Sequence, residues 1–271
     1  MVKKNTKRRN YLRNHRKKLT FVCSTCTCML ILNIETSTDA CSAAITSHGQ
    51  VLSVNGEPLV RLQTMQSEHA RQLPLYIDEL LSKLRLTGQS VEAVAVSGGP
   101  GSYTGLRIGA STAKGLAYGL HVPLVAIPTL QVMAAAAKDY LDGEQSPKDK
   151  TGNLLLVPMI DARRMEVYTA CYTTELQEQK DPYAEVICEN SFIKELNRGK
   201  TVFFGNGMPK CKTLLEKHSN AVFIDNIVPD AAYMGLLAED RLAEGKVEDI
   251  AYWTPFYLKE FEAKHSVVKG L

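Results

Sequence analysis

The sequence lacks an apolar run long enough to cross a membrane. The strongest candidate, residues 21–34, is too short and too rich in Ser and Thr for a span of roughly 20 apolar residues. It also makes a poor signal peptide, because no small-residue cleavage site follows it before Asn33 and Glu35. We therefore expect a cytoplasmic protein without membrane contact. A membrane-tethered form that uses the basic residues near the start is the weaker alternative.

Acidic residues are missing from the first 28 positions, which carry nine Lys and Arg residues. Residues 29–271 consequently contain 23 basic and 29 acidic residues, although the whole chain has a formal net charge of +3. Such an acidic body is unsuited to a broad nucleic-acid surface, because phosphate contacts require Lys and Arg. We expect residues 1–28 to be a disordered extension or upstream sequence included through a wrong start, with the folded domain beginning at Met29.

The cysteines lack the spacing of a zinc site. Cys23, Cys26 and Cys28 are crowded, but no second pair follows at zinc-finger spacing, so free thiols are favoured over a metal site. The other four cysteines stand in apolar stretches and are predicted to be small buried residues of a reducing compartment. These four are Cys41, Cys171, Cys188 and Cys211.

The order of predicted elements favours a duplicated α/β fold with two βββαβαβ-type halves. The first half, residues 29–128, begins with strands predicted over 30–35, 40–46 and 51–55. An amphipathic helix follows, with a cap at Ser67 and a bend or restart near Pro74. A buried strand, a glycine-rich helix and a further strand complete this half.

The second half, residues 129–229, repeats that order in reduced form after a helix at 130–141 and a polar linker at 142–153. A last helix over 230–245 is expected to join the first half, and residues 246–271 form a tail that begins with several aromatic residues.

The glycine-rich helix is poor in side-chain bulk along one face. Gly101, Gly105, Gly109, Ala113 and Ala117 fall four residues apart and share that face. Because each glycine inside a helix costs about 1 kcal/mol relative to alanine, the pattern suggests close approach by another backbone or a ligand. Packing against the chain's own sheet is the plain alternative, and a helix-on-helix interface is the functional one.

The turn before this helix has the parts of an anion cradle, namely free backbone N–H groups and a positive helix end. It matches neither the P-loop pattern nor the dinucleotide fingerprint, so a structural turn is favoured over nucleotide binding by this chain alone. The candidates for a nucleotide or phosphate loop are Thr36, Ser37, Gly98, Gly99, Gly101 and Ser102.

Other polar residues carry weaker signals. Glu35 is a single carboxylate rather than a pair, and His69 is expected at the surface or an interface. Asp161 is expected to form a local ion pair with Arg163 and Arg164, and Asn206 is expected to be a turn residue. No catalytic residue and no metal ligand is predicted.

Five segments together resemble the TsaB (YeaZ) family, over about residues 29–261. They are ILNIETST at 31–38, EHARQLP at 68–74, SGGPGSYTGLRIGASTAKGLA at 97–117, IDARRMEVY at 160–168 and PFYLKEF at 255–261. The GPGSYTGLR stretch is the most specific of the five.

This resemblance implies the duplicated actin-like, sugar-kinase-like (ASKHA) fold, in agreement with the two halves above. It also implies a non-catalytic subunit in the synthesis of threonylcarbamoyladenosine beside the tRNA anticodon. The related catalytic subunit, TsaD, carries two metal-binding histidines after the strand that follows the glycine-rich helix. The corresponding residues here, IPTLQVMAAAA at 127–137, include no histidine.

The resemblance further implies the partners. TsaD is expected as the heterodimer partner, a homodimer is expected when the chain is alone, and the ATPase TsaE is recruited to the complex. tRNA and metal are expected mainly on TsaD; no cofactor is expected on this chain alone, although ATP or ADP at the assembled interface is a further expectation. The candidate contact residues are Leu73, Tyr76, Ile77, Leu80, Gly105, Ile108, Gly109 and Thr112.

Two enzymatic alternatives stay open at this point. One is a stand-alone ATP-binding phosphotransferase of the same fold, and the other is a glycoprotease-like metalloenzyme. The missing histidines weigh against the second. The absence of an acid in FFGNGMPK at 203–210, where such kinases place a catalytic carboxylate, weighs against the first.

Overall fold

The structure, a computed structural model, describes residues 29–64, 68–143 and 154–259, and it contains two sheets that repeat one topology. The strands of the first half are β1 (Ile31–Glu35), β2 (Ala40–Ser47), β3 (Gln50–Val51), β4 (Ser53–Val54), β5 (Glu57–Pro58), β6 (Val60–Thr64), β7 (Ala93–Gly99) and β8 (Leu124–Pro128). Those of the second half are β9 (Leu155–Asp161), β10 (Glu166–Tyr172), β11 (Glu178–Val186), β12 (Thr201–Phe204) and β13 (Ala221–Ile224). The helices are α1 (His69–Arg85), α2 (Tyr103–Leu120), α3 (Thr129–Leu141), α4 (Ile193–Arg198), α5 (Met208–Leu215) and α6 (Gly235–Ala243), with a 3₁₀ turn at Ala231–Tyr233.

Strand order is the same in both sheets. The first runs β3-β2-β1-β7-β8, with β6 also beside β2, and the second runs β11-β10-β9-β12-β13. Strand β1 pairs antiparallel with β2 and parallel with β7, the strand after α1. Strand β9 likewise pairs antiparallel with β10 and parallel with β12, the strand after α4. The predicted duplicated, actin-like α/β fold is therefore confirmed.

Helices α1 and α2 cover one face of the first sheet. The apolar stripe of α1 recurs every three or four residues and is buried at Leu73, Ile77, Leu80 and Leu84. These side chains share a core with strand residues such as Leu32 and with the small residues of α2. Helix α1 runs without interruption through Pro74, so the predicted restart is wrong.

Helix α3 lies between the two sheets. Its Val132 packs with residues on the inner face of the first sheet, while Leu130 and Met133 pack with the inner face of the second. The 3₁₀ turn and α6 also rest on the first sheet, through Ala231 and Leu237 among others. The second half covers its outer face with the short helices α4 and α5.

Several boundaries differ from the sequence predictions. The strand expected at 51–55 is divided, because β4 leaves the sheet to form a hairpin with β5 around Asn55 and Gly56, both at positive φ. Strand β6 was missed, and the helix expected at 230–245 is a 3₁₀ turn followed by α6. Ser67, the three crowded cysteines and residues 144–153 lie outside the described residues.

No helix within the described ranges is long and apolar enough to span a bilayer. Cys41, Cys171 and Cys211 are buried as predicted, but Cys188 is exposed, because it lies in the loop after the edge strand β11.

Candidate functional site

The glycine-rich turn between β7 and α2 packs against the turn that follows β1. Ser102 caps α2 by accepting a hydrogen bond from the Gly105 N–H at 3.3 Å, and its own N–H donates to the Ser37 carbonyl at 2.6 Å. A Cβ atom on Gly101 would lie 2.3 Å from that same Ser37 oxygen. Glycine is therefore required here by the close approach of two backbone segments.

The small-residue face of α2 points into the molecule. A Cβ on Gly105 would lie 2.0 Å from the Thr36 carbonyl oxygen, and one on Gly109 would lie 2.3 Å from Thr36 Oγ1. Thr36 Oγ1 donates a hydrogen bond to the Gly105 carbonyl at 2.8 Å. The plain alternative, packing against the chain's own first half, is correct for this face, and Gly105 and Gly109 are not available to a partner.

Three other residues of the predicted interface are also in the core. Leu73, Ile77 and Leu80 are at most 5% exposed, because the apolar stripe of α1 faces the first sheet. Their predicted partner contact is therefore wrong. Only Tyr76, Ile108 and Thr112 of the predicted set keep partly exposed side chains, and the predicted interface is reduced to them.

The six predicted phosphate-loop residues are brought together, but they contact one another and the tail. The Phe256 N–H donates to the Gly98 carbonyl at 2.7 Å. A Cβ on Gly99, which has φ +106°, would lie 2.3 Å from the Phe256 carbonyl oxygen. Since Thr36 and Ser37 are also fully buried, a phosphate at this turn would have to displace the chain's own backbone.

Glu35 is a buried carboxyl at the end of β1. Its Oε1 accepts a hydrogen bond from the Ser37 N–H at 2.6 Å, and desolvation raises its pKa to about 7. Asp230 is buried as well, and desolvation raises its pKa to about 6. Ser42, which is paired with Glu35 in the sheet register, also accepts from the Ala231 N–H at 2.9 Å. Sequence reasoning missed Asp230, because only the fold brings residue 230 beside β2.

The equivalent carboxylate of the second half is Asp161, at the end of β9. It pairs with Lys210 and accepts a hydrogen bond from the Arg163 N–H at 2.9 Å. The predicted pairing with the side chains of Arg163 and Arg164 is wrong, because the ion-pair partner of Asp161 in the described structure is Lys210. Asn206 is a turn residue, as predicted, and its Oδ1 accepts from the Asp161 N–H at 3.0 Å.

His69 is buried rather than exposed. One of its ring nitrogens lies 2.7 Å from the Thr38 carbonyl oxygen, so the ring fixes the start of α1 against the turn after β1. Among residues 29–64, 68–143 and 154–259, no three His, Cys, Asp or Glu side chains are grouped to hold a metal ion.

Two surface grooves adjoin the outer side of α2. A groove of about 510 Å³ lies between the start of α1 and α2. It is lined by Ala70, Tyr103, Thr104, Arg107, Ile108, Ser111 and Thr112. A second groove, of about 390 Å³, lies between α2 and the tail. Beyond Ser111 the same row continues with Gly115 and Gly119, where an added Cβ would meet nothing within 4 Å.

Sequence reasoning missed Ala70, Arg107 and Ser111 as residues of this surface. A signal was present: Arg107, Ser111, Gly115 and Gly119 are four residues apart, as are the buried glycines. The spacing identifies both rows but does not say which of them faces outward.

Comparison with known proteins points in one direction. A family model described as TsaD, tRNA N6-adenosine threonylcarbamoyltransferase, matches residues 63–268. The chain is similar to the tRNA threonylcarbamoyladenosine biosynthesis protein TsaB of Bacillus subtilis, with 32% identity over 87% of this chain and 96% of that protein. It is similar to TsaB of Haemophilus influenzae, with 29% identity over 85% of this chain and 94% of the relative. The solved structure of YeaZ from Pseudomonas aeruginosa superposes with a TM-score of 0.66 at 24% identity, over 85% of this chain and all of that chain, which shows the fold alone.

Proposed function

Because this chain belongs to the TsaB (YeaZ) family of tRNA threonylcarbamoyladenosine biosynthesis proteins, which is related to TsaD, we propose that it is a non-catalytic partner subunit. In this role it binds TsaD, holds it in an active state and helps to recruit TsaE. The chemistry on tRNA takes place on TsaD.

The observation that carries this proposal is the open outer row of α2 beside the groove with α1. Ser111, Gly115 and Gly119 have little or no side-chain bulk, so another helix could approach α2 more closely than the usual 8 to 10 Å between axes. Ile108 supplies partly exposed apolar area in the groove. An exposed row of small residues without a packing partner weakens a helix on its own, which supports a contact made in a complex.

The apolar side chains of α3 support a non-catalytic role. The residues that follow β8, where the related TsaD carries its metal-binding histidines, include Val132, Met133 and Ala134, all buried between the two sheets. Apolar side chains in that place supply no metal ligand. The covering of Gly98 and Gly99 by the tail likewise weighs against a stand-alone phosphotransferase.

The first experiment measures activity. The purified chain, supplied with tRNA and threonylcarbamoyl-adenylate, should not modify tRNA, whereas its addition to TsaD, TsaE and ATP should restore modification. Turnover by the isolated chain at the rate of the complex would reject the proposal.

The second experiment tests the surface with Gly115→Leu. A Cβ atom at this position meets no atom of this chain within 4 Å, and leucine improves helix propensity, so the monomer should keep or gain stability while TsaD binding weakens by at least tenfold. Gly115→Ala is the matched control, because it gives the same propensity gain with little bulk, and it should bind within about twofold of wild type. Equal affinity of both variants in calorimetry would place the partner elsewhere.

A further inference from the structure

The Arg107 side chain is held between the two grooves by the Tyr103 side chain, which in turn contacts the Tyr257 ring. The Tyr257 ring of the tail lies 5.0 Å from the Tyr103 ring, measured between centroids. The Arg107 guanidinium lies 5.3 Å from the Tyr103 ring centroid and donates a hydrogen bond to the Tyr103 hydroxyl at 2.9 Å. An arginine that is already held in one orientation loses less side-chain entropy when it binds a further group.

The tail that carries Tyr257 is itself held at two points. The Phe256 N–H donates to the Gly98 carbonyl, and Lys259 Nζ lies 2.6 and 2.7 Å from the two carboxylate oxygens of Glu166 in the second half. Partial burial raises the pKa of Tyr257, and the nearby Arg107 opposes that rise. The ring is therefore a fixed support for Arg107.

Arg107 has unused capacity for an anion. It is exposed, it lines both grooves, and it has no carboxylate partner among the residues that the structure describes. Helix α2 carries Arg107 and Lys114 but no acidic residue, in a body where acidic residues outnumber basic ones. The outer side of α2 is thus a small positive region within residues 29–271, where acidic residues are in excess, and it complements a partner that presents carboxylates.

We infer that Arg107, held by Tyr103 and Tyr257, is the charged anchor of the partner surface and takes a carboxylate from the protein that docks on α2. A guanidinium binds a carboxylate through two parallel hydrogen bonds, which fixes register as well as adding affinity. Arginine and tyrosine are both enriched among the few residues that dominate an interface. Nucleic acid is disfavoured as the occupant, because two cations neutralise only about two phosphates.

This inference rests on the proposed function, so binding of the wild-type chain to TsaD is measured first. Arg107→Glu should then weaken TsaD binding by about 100-fold or more. Arg107→Lys should weaken it by about tenfold, because the charge stays but the planar fork is lost. Tyr257→Ala should cost several-fold through loss of the support, whereas Tyr257→Phe, which keeps the ring, should bind as wild type. Calorimetry at low and high salt should show that the Arg107→Gln variant has lost part of the salt dependence of wild type.

The control is Arg198→Glu, which makes the same charge change at an exposed position of α4 in the second half and should leave affinity within about twofold. Failure of the wild-type chain to bind TsaD would refute the proposed function itself. If wild type binds and Arg107→Glu binds equally well, the proposed function survives and the anchor is wrong. If Arg107→Glu leaves the heterodimer intact but reduces tRNA retention by the complex, the anion is a phosphate and the inference is also overturned.

Discussion

The two halves of the molecule each place a carboxylate at the end of their first strand and surround it differently. Glu35 in the first half is fully buried, and desolvation raises its pKa to about 7. Asp161 in the second half is exposed and pairs with Lys210. Each carboxylate stands beside a glycine turn, at Gly98–Gly101 and at Gly205–Gly207. The same backbone arrangement therefore tolerates either a desolvated acid or a solvated ion pair.

The helices of the two halves differ in the same sense. In the first half α1 and α2 have 17 and 18 residues, whereas α4 and α5 have six and eight. The short helices α4 and α5 pack on the second sheet. The longer α2 also packs on its sheet, but on its outer side a Cβ added at Gly115 or Gly119 would meet no other part of the described chain within 4 Å. The two halves of the duplicated fold thus differ in their helical layers, with long helices and an open outer side of α2 in the first half and short covering helices in the second.

The largest loss of stability is expected when an alanine replaces a glycine in one of the two glycine turns, and the loss should be greater in the first half. Gly101→Ala brings a Cβ within 2.3 Å of a backbone oxygen, and we expect a loss of about 3 kcal/mol in the free energy of unfolding. At Gly207 the nearest atoms are Val167 Cγ1 at 2.9 Å and backbone atoms at 3.0 Å, so Gly207→Ala should cost about 1–2 kcal/mol. Urea unfolding measures both, and a larger loss at Gly207 would contradict the closer packing of the first turn.

The buried carboxyl predicts a pH dependence that belongs to the first half. Because the folded state raises the pKa of Glu35 to about 7 from a usual value of 4.5, the folded state binds more protons between those values, and stability falls as the pH rises through them. Asp230, with a pKa raised to about 6, acts in the same direction. Glu35→Gln should reduce the stability loss between about pH 5 and pH 8 by about 2–3 kcal/mol.

Chemical unfolding at several pH values checks this expectation. Gln can still accept the Ser37 hydrogen bond, so the variant should remain folded. An unchanged slope in Glu35→Gln would mean that the carboxyl is solvated in the folded protein.

The smallest effect is expected at the matching acid of the second half. Asp161→Asn removes an ion pair whose side chains are 48% and 23% exposed, and a pair so open to water contributes less than about 1 kcal/mol. The hydrogen bond from the Arg163 N–H can still be accepted by Asn. A loss above about 2 kcal/mol in thermal unfolding would show that the two halves depend on their carboxylates equally.

Sequence patterns were sufficient for the architecture because they record which residues alternate or recur. The period of Leu73, Ile77 and Leu80 defines α1, and the repeated order of elements defines two halves. The division of β3 and β4 was not predictable in the same way, since it depends on the hairpin at Asn55–Gly56 and on pairing with distant strands. Strand β6 was missed because a short, partly exposed run such as VRLQT has a weak pattern.

The candidate site was predicted in part only. The small residues of α2 were found by their spacing, and the buried row was then assigned to a partner although it packs on Thr36. A helical period names the residues that share a face but does not name what that face meets. Arg107 was identified only from its proximity to Tyr257, which is distant in sequence. Asp230 was identified only because the fold places the start of the 3₁₀ turn beside Ser42 on β2.

By itself the sequence determined the repeated α/β order, the family resemblance and the presence of a helix with little side-chain bulk, because each is written in residue type and spacing. Only the tertiary structure decided that Gly105 and Gly109 face inward, that the tail covers Gly98 and Gly99, and that Glu35 is withdrawn from water. The physical reason is that burial, close backbone approach and desolvation depend on segments distant in the chain, and local pattern carries no information about which segments those are.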